Sequence, residues 1–187
     1  MMPALHIMPT PIAGLHLIRR EPAEDSRGYF ERIFCEETLR ELLSGKRIVQ
    51  INHSFTHTKG AMRGMHFQYP PYTEIKIVSC LRGKVFDVAV DLRRGSSTFL
   101  HWHGEVLSQD NHNAFVIPEG CAHGFQTLTE DCAMLYLHTA AYHPDAEGGI
   151  HPLDTRVGID WPLPVTELSR HDAAQTLLKK TFTGVRL

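Results

Sequence analysis

Residues 75–91 decide the fold: Ile75-Lys76-Ile77-Val78-Ser79-Cys80, then Leu81-Arg82-Gly83-Lys84, then Val85-Phe86-Asp87-Val88-Ala89-Val90-Asp91. Two strand-length runs rich in β-branched residues flank a turn with a glycine, which is the pattern of a hairpin. Side chains alternate faces along a strand. Val85, Asp87, Ala89 and Asp91 therefore share one face of the second run, and Phe86, Val88 and Val90 share the other. The apolar set is expected to face a core layer. The two carboxylates are expected to face solvent or a lined cavity, with Lys76 on the neighbouring strand available for pairing.

The same signal extends outward from Val49 to His138. Phe99 to Leu107, Ala114 to Ile117, Gly124 to Leu128 and Ala133 to His138 are further short strand-like runs. Upstream, Pro11 to Arg20 predicts a first strand, Asp25-Ser26-Arg27-Gly28 a turn, and Tyr29 to Phe34 another strand. Glu36 to Ser44 predicts a helix: two acids in its first turn, Leu39, Leu42 and Leu43 on one face, and Gly45 to close it. Pro152, Pro162 and Pro164 mark an irregular segment, and Leu168 to Lys180 a short C-terminal helix. Many strands and few helices predict an all-β sandwich or barrel, in one domain over residues 1–187.

At 187 residues and 42% hydrophobic, the chain can bury one core. With 19 basic and 21 acidic residues it lacks the basic footprint of a nucleic-acid binder. No apolar run reaches the ~18 residues of a membrane span, and the N-terminus lacks a signal-peptide pattern. A cytoplasmic protein without membrane or nucleic-acid partners is expected. Cys35, Cys80, Cys121 and Cys132 include no C-x-x-C pair, so free thiols are expected. There is no G-x-S-x-G, Walker A or G-x-G-x-x-G sequence.

Chemistry concentrates at Arg63-Gly64-Met65-His66-Phe67-Gln68. On a strand, His66 and Gln68 point to one side and Met65 and Phe67 to the other. Histidine suits proton transfer near neutral pH, although one between apolar residues is more often a hydrogen-bonded core residue. Pro118-Glu119-Gly120-Cys121-Ala122-His123 has the P-x-G-x-x-H spacing of the second motif of cupin β-barrels. A metal-binding barrel of that kind needs an earlier H-x-H followed by a glutamate. His66-Phe67-Gln68 lacks the second histidine. In His101-Trp102-His103 the glutamate, Glu105, follows too closely, and alternation puts both histidines on an exposed face. Leu168-Ser169-Arg170-His171-Asp172 reads as a helix cap, with Ser169 at the N-cap and Asp172 at N3. A carboxylate orienting a histidine is the alternative reading of Asp172.

Taken together, several stretches resemble the dTDP-4-dehydrorhamnose 3,5-epimerase family, a group of dimeric, metal-independent cupins. They are Asp25 to Phe30, Gln50 to Ser54, Arg63 to Gln68, Lys76, Val85 to Arg93, Pro118 to Phe125, Leu135-Tyr136, Glu147 to Ile150, Ile159 to Pro162 and Leu168 to Asp172, in order. The resemblance implies a cupin or jelly-roll β-sandwich barrel with a short helix in its N-terminal half and a helical C-terminal segment. It implies His66 as catalytic base, Asp172 as its paired carboxylate, Tyr136 as acid, and Lys76 beside the substrate carbonyl. Arg63, and Arg27 from a partner subunit, match positions that hold the nucleotide diphosphate. Phe30, Gln50, Asn52, Gln68, Asp87 and His123 complete the implied substrate-binding set. No cofactor or metal is implied.

The inventory fits that chemistry. In a nucleotide-linked 4-keto-6-deoxyhexose, the hydrogens on C3 and C5 are α to the C4 carbonyl. A base removes one if a cation such as Lys76 stabilises the enolate oxygen. Inversion then needs an acid across the ring from His66. Tyr136 can serve, with Lys76 nearby to help its phenol release a proton. The chain departs from the family pattern at Arg32, Leu137, His138, Ala141, the stretch His151 to Thr155, and His171. Which sugar and nucleotide, and whether one or two carbons are inverted, stay open here. A 3,4-ketoisomerase, a metal-dependent cupin oxygenase and a non-catalytic sugar-binding cupin are the alternatives.

Overall fold

The computed structural model describes residues 3–187. Among the described residues, fourteen strands, two one-turn α-helices and a 3-10 turn at Pro144–Ala146 follow in chain order: β1 Ala4–Pro9, β2 His16–Glu21, β3 Ala23–Asp25, β4 Gly28–Phe30, α1 Glu36–Leu39, β5 Gln50–Thr56, β6 Ala61–Gln68 and β7 Lys76–Arg82. Then come β8 Lys84–Asp91, β9 Trp102–Ser108, β10 Asn113–Ile117, β11 Cys121–Thr127, β12 Cys132–His138, β13 Glu147–Gly149, β14 Glu167–Leu168 and α2 Arg170–Ala173. One sheet runs β1-β2-β10-β7-β12-β5 and the other β13-β6-β11-β8-β9, with β14 added in parallel to β6. The two sheets form an all-β jelly-roll sandwich of the cupin type.

The two strands and the turn expected at residues 75–91 are present as β7 and β8, but they are not a hairpin: β7 pairs with β10 and β12, β8 with β11 and β9, and the turn carries the chain from one sheet to the other. Gly83 at φ +76° makes the corner where a side chain would strain the backbone. Between the sheets, Val78, Cys80, Phe115, Ile117 and Met134 pack against Val85, Ala89, Leu107, Cys121 and Phe125. The outer face of the second sheet is also covered. Met65, Phe67, Val88, Val90 and Ala122 lie under Ile150, Trp161, Leu178, Phe182 and Val185 of the C-terminal segment. On the outer face of the first sheet, Ile18, Ile77, Val116 and Leu137 meet Leu39, Leu43, Phe34 and Ile48.

Double coverage explains why β8 is apolar on both faces, and it corrects one expectation. Neither Asp87 nor Asp91 faces solvent; both are fully buried. Asp91 is held by Arg93, Ser96 and Thr98 at the end of β8, and only Asp87 turns toward the cavity side. Several boundaries also differ, among them β9, which starts at Trp102 rather than Phe99, and β11, which starts at Cys121 rather than Gly124. Pro11 to Arg20 is a turn followed by β2, and β1 precedes it. The strand at Tyr29 to Phe34 stops at Phe30. The helix expected to reach Ser44 ends at Leu39 and continues as turns, with no side-chain cap at Cys35. The C-terminal helix is one turn, Arg170–Ala173. All four cysteines are free. Among the described residues, no helix is long and apolar enough to cross a membrane.

Candidate active site

The site begins with a close approach of β6 and β11. Gly64 sits at φ +117°, and a Cβ there would come within 2.6 Å of Gly124 Cα and 2.7 Å of His123 O. Two glycines thus let the strands touch backbone to backbone and set His66 and His123 opposite each other in register. That is the physical use of the glycine between Arg63 and His66. As expected, Met65 and Phe67 pack under the C-terminal segment, while His66 lines the cavity.

His66 Nε2 lies 2.7 Å from Asp172 Oδ1. Asp172 arrives from α2, whose N-cap Ser169 accepts a hydrogen bond from the Asp172 backbone N–H at 3.0 Å. Its second oxygen faces the Gly64 N–H at 3.4 Å. The cap and the dyad are therefore the same structure: the cap fixes the backbone that aims the carboxylate. Burial works against that carboxylate. The hydrogen bond and charge of His66, with the Ser169 and Gly64 contacts, outweigh burial and hold Asp172 below its ordinary range.

The opposite wall comes from the other sheet. Tyr136 and His138 project from β12, Asn52 and Ser54 from β5, and Lys76 from β7. The cavity has two adjoining lobes, of about 390 Å³ and about 250 Å³. Arg63, His123, Tyr136 and the dyad line the first; Gln50, Gln68, Glu74 and Glu147 line the second. Asn52, His66, Lys76 and His138 line both. The Tyr136 hydroxyl and Ser54 Oγ are 2.9 Å apart. Burial pushes its phenol well above the ordinary value, against the opposing effect of the Ser54 hydrogen bond. Lys76 does not partner Tyr136 as expected. Its Nζ is 3.2 Å from Glu74 Oε1, because Lys76 stands across the ladder from His138 rather than from Tyr136.

The predicted residues divide clearly. His66, Asp172, Tyr136, Lys76, Arg63, Asn52, Gln50, Gln68 and His123 converge on the two lobes. Asp87 sits behind His123, whose Nε2 is 2.9 Å from both of its oxygens. Arg27 and Phe30 do not join them within this chain. They lie on the β3–β4 hairpin, where the Arg27 side chain is 88% exposed and, among the described residues, bonded only to Asp25, and Phe30 is 70% exposed. Sequence reasoning missed Ser54, Glu74, His138, Glu147 and His171. For His138 a signal existed: it is two residues from Tyr136 on one strand, and so shares its face. Glu74 precedes its strand and left no such signal.

Among the described residues, His66, Glu147 and His171 bring possible metal-donor atoms within 4.8 Å of one another. His101 and His103 line neither lobe. His103 is half-buried, not exposed, and bonds Glu105 at 3.0 Å, since its side of β9 turns toward Phe115. A larger depression of about 700 Å³ lies beside β1 and β2. Among its ionic groups, His6 pairs with Glu21, and Arg20 and His112 pair with Glu31.

A histidine–carboxylate dyad facing a lysine and a tyrosine across a sandwich defines an acid–base enzyme of the cupin class. The family model described as dTDP-4-dehydrorhamnose 3,5-epimerase matches residues 9–180. The chain is 42% identical over 178 residues to a dTDP-4-dehydrorhamnose 3,5-epimerase of Salmonella typhimurium, covering 94% of this chain and 97% of that one. It is 41% identical over 168 residues to one of Sinorhizobium fredii, covering 89% and 86%. It is also similar to the crystal structure of a dTDP-6-deoxy-D-glucose-3,5-epimerase from Legionella pneumophila in complex with dTDP-4-keto-L-rhamnose. The TM-score is 0.88 at 43% identity, with 93% of each chain covered. The chain belongs to the dTDP-4-dehydrorhamnose 3,5-epimerase family, and it is an isomerase.

Proposed function

We propose that this enzyme inverts C3, C5 or both of a dTDP-linked 4-keto-6-deoxyhexose by deprotonation and reprotonation through an enolate. The observation that carries the reading is the placement of the His66–Asp172 dyad on one wall of the cavity, with Lys76 and Tyr136 on the other. His66 takes the proton α to the C4 carbonyl. Asp172 orients the ring and stabilises the imidazolium that forms. Lys76 stabilises the enolate oxygen. Tyr136 returns a proton to the opposite face, which is what makes the step an inversion. Arg63, an exposed residue, holds the nucleotide diphosphate, and His123, backed by Asp87, lines the pocket wall. No redox cofactor or metal enters this scheme.

The test is solvent exchange. In D2O, dTDP-4-keto-6-deoxyglucose should take up deuterium at C3 or C5, and His66→Ala should lower that rate by about a hundred-fold or more. No exchange with any nucleotide-linked 4-keto sugar would sink the proposal. A ketoisomerase would instead move the carbonyl, which NMR of the product distinguishes.

Residues 1–187 are read as one catalytic domain that works as a homodimer in the cytoplasm. Exposed apolar side chains support the dimer: Tyr29, Phe30, Val49 and Ile51 are each more than half exposed, and β1 and β5 are the edge strands of the first sheet. Four unpaired thiols suit a reducing compartment.

A further inference from the structure

We propose that His138 is a second proton donor, so that each of the two carbons flanking the carbonyl has its own acid. The inference rests on the epimerase reading above and deepens it. His138 lines both lobes of the cavity, whereas Tyr136 lines only the larger. Both project from the same face of β12, with ring centroids 6.2 Å apart and planes at 25°. Both therefore stand on the sheet opposite His66, where a proton must come from for configuration to change.

The ring is built to carry a proton. Its Nδ1 lies 2.7 Å from Glu74 Oε2, and the Glu74 side chain is only 8% exposed. The other Glu74 oxygen holds Lys76 at 3.2 Å. This repeats, on the second wall, the carboxylate–imidazole pairing of His66 and Asp172, and such a carboxylate stabilises the imidazolium. With Nδ1 committed to Glu74, Nε2 is the atom left for substrate; it accepts a long hydrogen bond from Asn52 Nδ2 at 3.4 Å, and it gives up that contact when it carries a proton to substrate.

The step balances without a co-reactant. His66 takes a proton from one α-carbon, and the electron pair of that C–H bond becomes the enolate. The enolate carbon then takes the Nε2 proton of His138 on the opposite face: the N–H bond breaks, a C–H bond forms and the ketone is restored. His66 gives its proton to solvent and His138 takes one back.

Removing one donor leaves a specific signature. Without a proton on the far face, deuterated His66 can return deuterium only to the near face. His138→Gln in D2O should therefore give a product inverted at one carbon, with deuterium at the other carbon in its original configuration. Tyr136→Phe should show the converse pattern. A doubly inverted product at the wild-type ratio from His138→Gln would overturn the assignment. So would equal loss of inversion at both carbons in a variant that still melts cooperatively and binds dTDP. A wild-type enzyme that inverts one carbon only would overturn it too. A wild-type enzyme that exchanges neither carbon would instead refute the epimerase reading itself. His138→Asn provides a second variant should the glutamine form fold poorly.

Discussion

Asp172 holds two roles that sequence reading set against each other. Its backbone N–H is capped by Ser169 while its carboxylate grips His66. The two roles separate cleanly by atom, and this gives a test. Asp172→Asn keeps the backbone cap and an oxygen for Gly64, but loses the charge that supports the imidazolium. The expected result is a folded variant, with a melting temperature close to the parent, whose kcat falls about a hundred- to ten-thousand-fold. Steady-state kinetics beside a thermal melt checks both halves. Because Asp172 is held below its ordinary range, it stays ionised across neutral pH. It should contribute no limb to the rate profile there. At this scale the sequence was informative about residue type and silent about pairing. His66 and Asp172 are 106 positions apart, and no local pattern links them.

β8 shows what periodicity can and cannot reveal. Strand and turn were legible, because β-branched runs around Gly83 leave few alternatives. The environment of its carboxylates was not, because alternation gives the face but not what covers it. The C-terminal segment covers one face and the opposite sheet the other, and both contacts come from far along the chain. Short helices were overestimated for a related reason. The leucines of residues 36–44 serve contact with the first sheet, which turns satisfy as well as helix. Asp91, at the end of β8, is the element's buried anchor. Burial opposes its charge, but Arg93, Ser96 and Thr98 outweigh this and hold its carboxyl at about 2. A carboxyl depressed from 3.8 to about 2 adds roughly 2 kcal/mol above its unfolded pKa. That stability is lost as pH falls from 3.8 toward about 2. Asp91→Asn should thus lower unfolding free energy by roughly 2 kcal/mol at pH 7. The gap from the parent should narrow in acid, and urea titrations at both pH values measure it.

At the scale of the whole molecule, the cavity carries its acid–base groups but lacks two residues that the family resemblance assigns to substrate. Arg27 and Phe30 stand on an exposed hairpin away from both lobes. One chain offers no local reason for an exposed phenylalanine on the same hairpin as an arginine whose only partner among the described residues is Asp25. Sequence could suggest the role but not the distance, since which residues a partner supplies depends on assembly geometry. If Arg27 and Phe30 complete the neighbouring subunit's cavity, catalysis is a property of the dimer, and two damaged chains can repair each other. Arg27→Ala should be nearly inactive, as should His66→Ala. In a mixed dimer, the site that keeps His66 on the first chain receives Arg27 from the second. One site per mixed dimer is then intact, while the other carries both lesions. Tandem affinity purification of differently tagged chains isolates the mixed dimer, and its turnover should recover to about half that of the parent dimer. If Arg27 instead served its own chain, each site would carry one lesion. The mixed dimer would then be as inactive as either variant alone, and the cross-subunit reading would be lost.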